Sequence, residues 1–159
     1  MNLLFVARTG VLEALTIGLG YLDQEDQLET NSAFGNIATE KKGELIYLGK
    51  GRNGNDVYCV GYKDPEIVVR INEEIKSLAE KLENPLKVIP VSVPGNHSIY
   101  TLSRLAMLPL VGNYFAQKAK AKTLKIKDQL IKAGKNLQEK NSEVTPAAKP
   151  LKTEHGIEK

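Results

Sequence analysis

Short apolar runs alternate along this chain with stretches whose apolar positions recur every three or four residues. Leu3-Leu4-Phe5-Val6-Ala7 is a continuous run of strand length. Arg8-Thr9-Gly10 closes it, and Leu12, Leu15 and Leu19 then recur at helical spacing. The pattern predicts a helix over about 11–19, capped by Thr9 or Gly10, with one face on a sheet and with Gly18 and Gly20 near its end. The same build returns downstream. Val88-Ile89-Pro90-Val91-Ser92-Val93 reads as a strand, Pro94-Gly95-Asn96-His97 as a loop, and a helix begins near Ser98. If the two strands lie parallel in one sheet, both loops open at the same edge, where α/β proteins usually bind ligands.

Between these units, Asp23 to Lys42 has no period and reads as a long surface loop with room for a short helical turn. Glu44–Leu48 and Asp56–Tyr62 are strand-like, and the intervening Gly49–Asn55 is rich in residues that tolerate positive φ, so a hairpin is expected. Asp64 as N-cap and Pro65 in the first turn open a further helix. Its apolar positions Val68, Ile71, Ile75, Leu78 and Leu82 predict one buried stripe, and Asn84-Pro85 ends it. After the helix that follows His97, Pro109 breaks the pattern. A last helix runs from about Gly112 toward Leu137, with a narrow stripe of Ala119, Thr123, Ile126, Leu130, Ala133 and Leu137. The expected architecture is a three-layer, Rossmann-like α/β domain. Its small mixed sheet has two parallel strands and a hairpin, with helices on both faces and a basic C-terminal helix. The boundaries are an α/β domain over 1–116, a basic amphipathic helix over 117–138 and a disordered tail over 139–159, where apolar residues are few and prolines intervene.

Charge sharpens this division. The 159 residues carry a net charge of +3, but residues 1–116 hold 11 basic and 14 acidic side chains, whereas residues 117–159 hold 11 lysines and 5 acidic ones. A mildly acidic body thus carries a basic end. The single cysteine, Cys59, excludes an intramolecular disulfide, fits a reducing compartment and sits in an apolar strand pattern as a small buried hydrophobe. The N-terminal apolar run is too short for a signal peptide, and the stretch from Ile99 to Ala116 is interrupted by Arg104 and Pro109. The expected location is cytoplasmic.

Several stretches carry a family resemblance. Gly43-Glu44-Leu45-Ile46-Tyr47-Leu48-Gly49 with Gly54-Asn55-Asp56-Val57-Tyr58-Cys59-Val60-Gly61-Tyr62 is one. Ile17-Gly18-Leu19-Gly20 is another, and the third is Leu102-Ser103-Arg104-Leu105 followed by a segment near Gly112. Together they resemble the domain-of-unknown-function family 3189 of spore-forming Gram-positive bacteria, over roughly the first three quarters of the chain. The resemblance implies fold and ancestry, since the family's own function is not established. Members carry a Gly-Gly-x-His-Ser-type loop after the first strand, where this chain has Val6-Ala7-Arg8-Thr9-Gly10. No catalytic residue is therefore carried over.

The candidate chemistry concentrates in the two loops. Free amides at the start of the first helix, with Arg8 beside them, suit an anion; the competing reading is that Thr9 is an ordinary cap and Arg8 an exposed arginine. Asn96, His97 and Ser98 form the second half of the expected ligand-binding set, with Arg8, Thr9 and Gly10. His97 is the one candidate for acid–base catalysis, but spacing places no nucleophile or orienting carboxylate beside it, and Ser98 is equally explained as an N-cap. The Gly49–Asn55 loop, with Lys50 and Arg52, imitates a phosphate cradle but joins two strands, whereas a P-loop joins a strand to a helix. One cysteine and two distant histidines make no metal set, and no cofactor motif is present. The expected function is a small-ligand or anion-binding module, with a degenerate enzyme as one form of it. The alternative is an adaptor docking an acidic partner through Lys118, Lys120, Lys122, Lys125 and Lys127. For that row an acidic protein is favoured over nucleic acid or an anionic membrane surface, because no aromatics interleave with the lysines and the stripe is thin. A solvated helix packed by its stripe competes with the adaptor reading.

Overall fold

Five consecutive apolar residues, Leu3 to Ala7, leave the first strand with no polar face, so both of its sides need cover. The computed structural model, which describes residues 2–78, 86–92 and 97–143, puts this strand, β1 (Asn2–Ala7), inside a four-stranded mixed sheet of order β2-β3-β1-β4. The hairpin is formed by β2 (Ile46–Lys50) and β3 (Asp56–Gly61), and β4 (Leu86–Pro90) is the far edge. Both neighbours of β1 run parallel to it, with Phe5 opposite Cys59 on one side and Ile89 on the other. The expected parallel pair is present, and the hairpin joins it through β3. The hairpin carries a bulge at Leu48, between the Tyr47 and Gly49 pairings. Gly49 adopts φ 145°, a backbone conformation that favours glycine.

Leu3, Phe5, Ala7, Val57, Cys59, Ile89 and Val91 form one apolar face. Against it lies a helical segment that starts as a π-helical turn, Gly10–Ala14, and continues as α1 (Leu15–Tyr21). The expected helix is here, but its burial is greater than one face: every residue from Gly10 to Tyr21 is buried. Gly18 and Gly20 lie near the end of α1, as expected, within its last turn before Tyr21. The cause is a second layer. The lysine-rich region forms two helices, α5 (Gly112–Lys125) and α6 (Lys127–Glu143), and α6 lies along the outer side of α1.

The α1–α6 contact is backbone to backbone. A Cβ on Gly134 would run into the Ile17 carbonyl and the Tyr21 amide, and one on Gly20 into the main chain of Ile131. Leu130 and Ile131 are buried in this contact. Polar ties secure its rim. Lys135 Nζ donates to Glu25 at 2.6 Å, Gln138 Nε2 to Asp23 at 3.1 Å, and Lys87 Nζ to Asn141 at 2.6 Å. The Gln138 bond holds the Asp23 carboxyl below its ordinary range with help from Arg52, and Lys135 does the same for Glu25.

Three boundaries therefore change. The segment expected as one helix over 117–138 is two, broken at Ile126, whose φ of −111° and ψ of 11° leave the helical region. No glycine or proline marks that break. Residues 139–143, expected in the tail, continue α6, while 144–159 lie outside the described residues. The stretch from Asp23 to Lys42 holds a 3₁₀ turn (Glu25–Gln27) and α2 (Ile37–Lys42), and it buries Leu28 and Phe34.

The opposite face of the sheet, with Leu4 and Val6, is met by α3 (Pro65–Leu78), completing three layers. Asp64 caps its first turn by accepting from the Glu66 amide at 3.2 Å. Its half-buried face runs through Val68, Val69 and Asn72, and Ile71 of the expected stripe is exposed. The helix lies mainly along β4, an edge strand, and so covers the margin of the sheet. The side chains of Ile75 and Leu78, all of Leu82, and the expected stop at Asn84-Pro85 lie outside the described residues. The chain ends its layers with α4 (His97–Leu105), which packs on α5.

Alanine normally stabilises a helix interior by about 1 kcal/mol over glycine. Gly134→Ala is expected to do the reverse, costing about 1–3 kcal/mol by forcing α6 off α1. Urea unfolding of the two proteins measures the sign, and a stabilised variant would refute the backbone contact.

Candidate functional site

Because β1, β3 and β4 are parallel, the loops after all three leave from one edge of the sheet. Thr9 ends the first loop in an extended conformation (φ −128°, ψ 115°) and caps the π-helical turn. Its hydroxyl accepts from the Glu13 amide at 3.2 Å and donates to the Glu13 carboxylate at 3.0 Å. In an ordinary capping box the bond reaches three residues ahead; here the wider turn, closed by Ala14 N–H to Thr9 C=O at 3.0 Å, shifts it to the fourth.

The next two amides meet an internal anion. Gly10 N–H donates to Glu40 Oε1 at 3.1 Å and Val11 N–H to Oε2 at 2.9 Å. The cradle expected to favour an anion thus holds a carboxylate of the same chain, delivered by α2. Gly10 and Gly61 make this possible. A Cβ on Gly10 would strike the Gly61 main chain, and one on Gly61 would strike the Glu40 carboxylate. Asn36 starts α2 by accepting from the amides of Ala38 and Thr39, and Gly43 ends it at φ 65°, which fixes where Glu40 emerges. Burial pushes the Glu40 carboxyl above its ordinary value, outweighing the two amide bonds and the attraction of Arg104.

Beside this carboxylate is a cavity of about 60 Å³ whose walls include Arg8, Glu40, Lys63, Tyr100, Ser103 and Arg104. Ser103 is 1% exposed, and its hydroxyl has no hydrogen-bond partner among the described residues. Arg8 lies exposed at the rim, donating to His97 Nδ1 at 2.8 Å with its guanidinium 6.0 Å from the Tyr100 ring centre. A guanidinium can only donate, so Nδ1 is the acceptor in this contact.

Of the six expected ligand residues, Arg8 and His97 are joined directly, 89 positions apart in the chain. Thr9 and Gly10 are buried in the cap and the Glu40 cradle. Ser98 falls inside the first turn of α4, which starts at His97, so it is not that helix's N-cap. Asn96 and the Pro94-Gly95 turn lie outside the described residues. His97 stands beside a cation, and no carboxylate is bonded to it among the described residues. The hairpin loop is a turn: Gly51 N–H bonds Asn55 C=O at 2.8 Å, Arg52 pairs with Asp23 at 2.6 Å, and Lys50 faces Asp56 at 3.7 Å. Cys59 is fully buried, its thiol donating to Gly10 C=O at 3.7 Å, and burial raises its pKa far above the usual thiol range. Among the described residues, no three His, Cys, Asp or Glu side chains cluster to hold a metal ion.

Sequence reasoning missed Glu40, Lys63, Tyr100, Ser103 and Arg104. For Ser103 and Arg104 a signal existed, because Leu102-Ser103-Arg104-Leu105 is one of the stretches that carry the family resemblance. A second such stretch ends in Gly61-Tyr62, and both line this cavity. The family described as "Protein of unknown function (DUF3189)" matches the chain over residues 12–136. The match thus reaches past the first three quarters of the chain, through α5 and into α6. No curated protein and no solved structure matches.

Glutamine at position 40 keeps the shape but turns an N–H toward a backbone N–H. Glu40→Gln is therefore expected to lower stability by about 1–3 kcal/mol. A carboxyl with a raised folded pKa binds its proton more tightly in the folded state. Its contribution is thus full below its ordinary value of 4.5 and declines as pH rises through the folded value. The deficit of the variant should accordingly shrink between pH 4 and pH 7 in paired urea titrations; a deficit that grows would place the folded pKa below the ordinary one.

Proposed function

From the premise that the chain belongs to this family of unknown function, we propose that the carboxyl edge of its sheet binds a small oxyanion. The observation that carries the reading is the buried, unpartnered Ser103 hydroxyl on the wall of a cavity ringed by three cations, Arg8, Lys63 and Arg104. A buried hydroxyl without a partner forfeits the hydrogen bonds it had in water, and an anionic oxygen placed there restores one. Guanidinium groups supply charge-assisted donors from the rim.

Size limits the ligand class. Pockets for drug-sized molecules occupy roughly 300–1,000 Å³, and this cavity has about 60 Å³. It suits a single phosphate, sulfate or carboxylate group, free or as the head of a molecule that extends into solvent. The ligand sits next to Glu40 and not in its place: the amides of Gly10 and Val11 are taken, and Glu40 borders the cavity as a negative wall. That wall selects for ligands whose charge is directed toward Arg8, Lys63 and Arg104. Binding, not turnover, is the supported activity, since the hydroxyl of Ser103 has no base bonded to it among the described residues.

Titration of ¹⁵N-labelled protein with inorganic phosphate and with sulfate is expected to shift the amides of Gly61, Ser103 and Arg104. Arg104→Ala should weaken binding by about tenfold, the worth of one charge-assisted hydrogen bond. Unchanged affinity in both Arg104→Ala and Arg8→Ala would refute the site.

A further inference from the structure

Four exposed apolar side chains gather where α4 hands over to α5: Leu108, Leu110, Val111 and Tyr114. Leu110 is 104% exposed, so nothing among the described residues covers it. Its backbone is held at φ 72° in a turn closed by Val111 N–H to Pro109 C=O at 2.9 Å. Turns of this three-residue kind with positive φ are rare and strained for residues other than glycine. The strain projects a leucine into water.

Along the exposed side of α5, Tyr114 is followed at helical spacing by Lys118, Lys122 and Lys125. Lys118 Nζ stands 4.5 Å over the Tyr114 ring, and no acidic residue pairs with these three lysines among the described residues. In contrast, Lys120 lies against Phe34, at 5.0 Å from the ring centre, and Lys127 faces Glu29 at 4.0 Å. The sequence around them contains no acidic residue between Glu83 and Asp128.

We infer that this face is a docking surface for an anionic lipid bilayer: the Leu108–Val111 tip enters the interface while Lys118, Lys122 and Lys125 meet the head groups. Charge complementarity selects an anionic occupant; the lysine row alone favours an acidic protein, and the exposed Leu110, Val111 and Tyr114 beside it, which the sequence pattern did not reveal, favour a lipid surface instead. A nucleic-acid backbone has no use for an exposed Leu110 and Val111. A second copy docking through the same patch would set one row of lysines against another. A lipid surface uses both features at once, with apolar side chains inserted to a shallow depth and basic ones at the head groups. Attachment is peripheral, because among the described residues no helix is long and apolar enough to cross a membrane. This surface shares no residue with the oxyanion cavity, and neither reading depends on the other.

Co-sedimentation of the full chain with phosphatidylcholine vesicles, with and without phosphatidylglycerol, tests the assignment. Binding is expected only to the anionic vesicles and to weaken in high salt. Joint replacement of Lys118, Lys122 and Lys125 by Gln should lower the partition coefficient about a hundredfold. Leu110→Asp should lower it by about tenfold or more. Matching thermal melts would show that both variants are folded. Equal binding to neutral vesicles, no binding to either, or unchanged binding by both variants would overturn the inference. It would also fall if Leu110→Asp abolished a concentration-dependent dimer, or if duplex DNA bound more tightly than the vesicles.

Discussion

A single carboxyl group organises the edge of the sheet where the parallel strands end. Glu40 caps the π-helical turn through the amides of Gly10 and Val11, and in doing so it ties three separate pieces of chain together. The β1–α1 loop supplies the donors, α2 supplies the acid, and Gly61 at the end of β3 supplies the space. The helix N-terminus favours a negative charge whatever its source. The Glu40 carboxyl group occupies that position from within, and the cavity rimmed by Arg8, Lys63 and Arg104 lies beside it.

The second organising contact lies on the far side of α1. Glycines at 20 and 134 bring two helices to backbone distance, so α1 is enclosed by sheet on one side and by α6 on the other. This changes the meaning of the basic C-terminal region. Its stripe of Ala119, Thr123 and Leu130 is core, and part of its charge is committed to Glu25 and Glu29. Among the described residues, Lys118, Lys122 and Lys125 form an unpaired row on α5 next to an exposed apolar tip. A region that looks uniformly basic in sequence is thereby divided into a packing element and a display surface.

The legible part of the fold was the part set by local pattern. Leu3 to Ala7 could only be an interior strand, Asp64-Pro65 could only begin a helix, and Gly49–Asn55 could only be a turn between strands. The break at Ile126 and the exposure of Ile71 left no local mark. The first depends on how α5 and α6 pack, and the second on α3 lying along an edge strand. For the candidate site, the repeated strand–loop–helix units pointed to the edge where β1, β3 and β4 end, and the Arg8–His97 contact joins the two loops they named. They did not point to Glu40, which sits in a stretch with no periodicity, or to Ser103, whose interest lies in having no partner.

By itself, then, the chain's residue order determined a mixed α/β sheet whose strand ends converge, a buried Cys59, and a basic C-terminal quarter. These follow from periodicity, turn chemistry and composition, which act over a few residues at a time. Tertiary structure alone decided that the helix N-terminus is filled from within, that Arg8, Lys63 and Arg104 surround one cavity, and that α6 is core. The first and the last depend on backbones approaching closely at glycines far apart in the chain, and no local rule specifies where distant segments will meet.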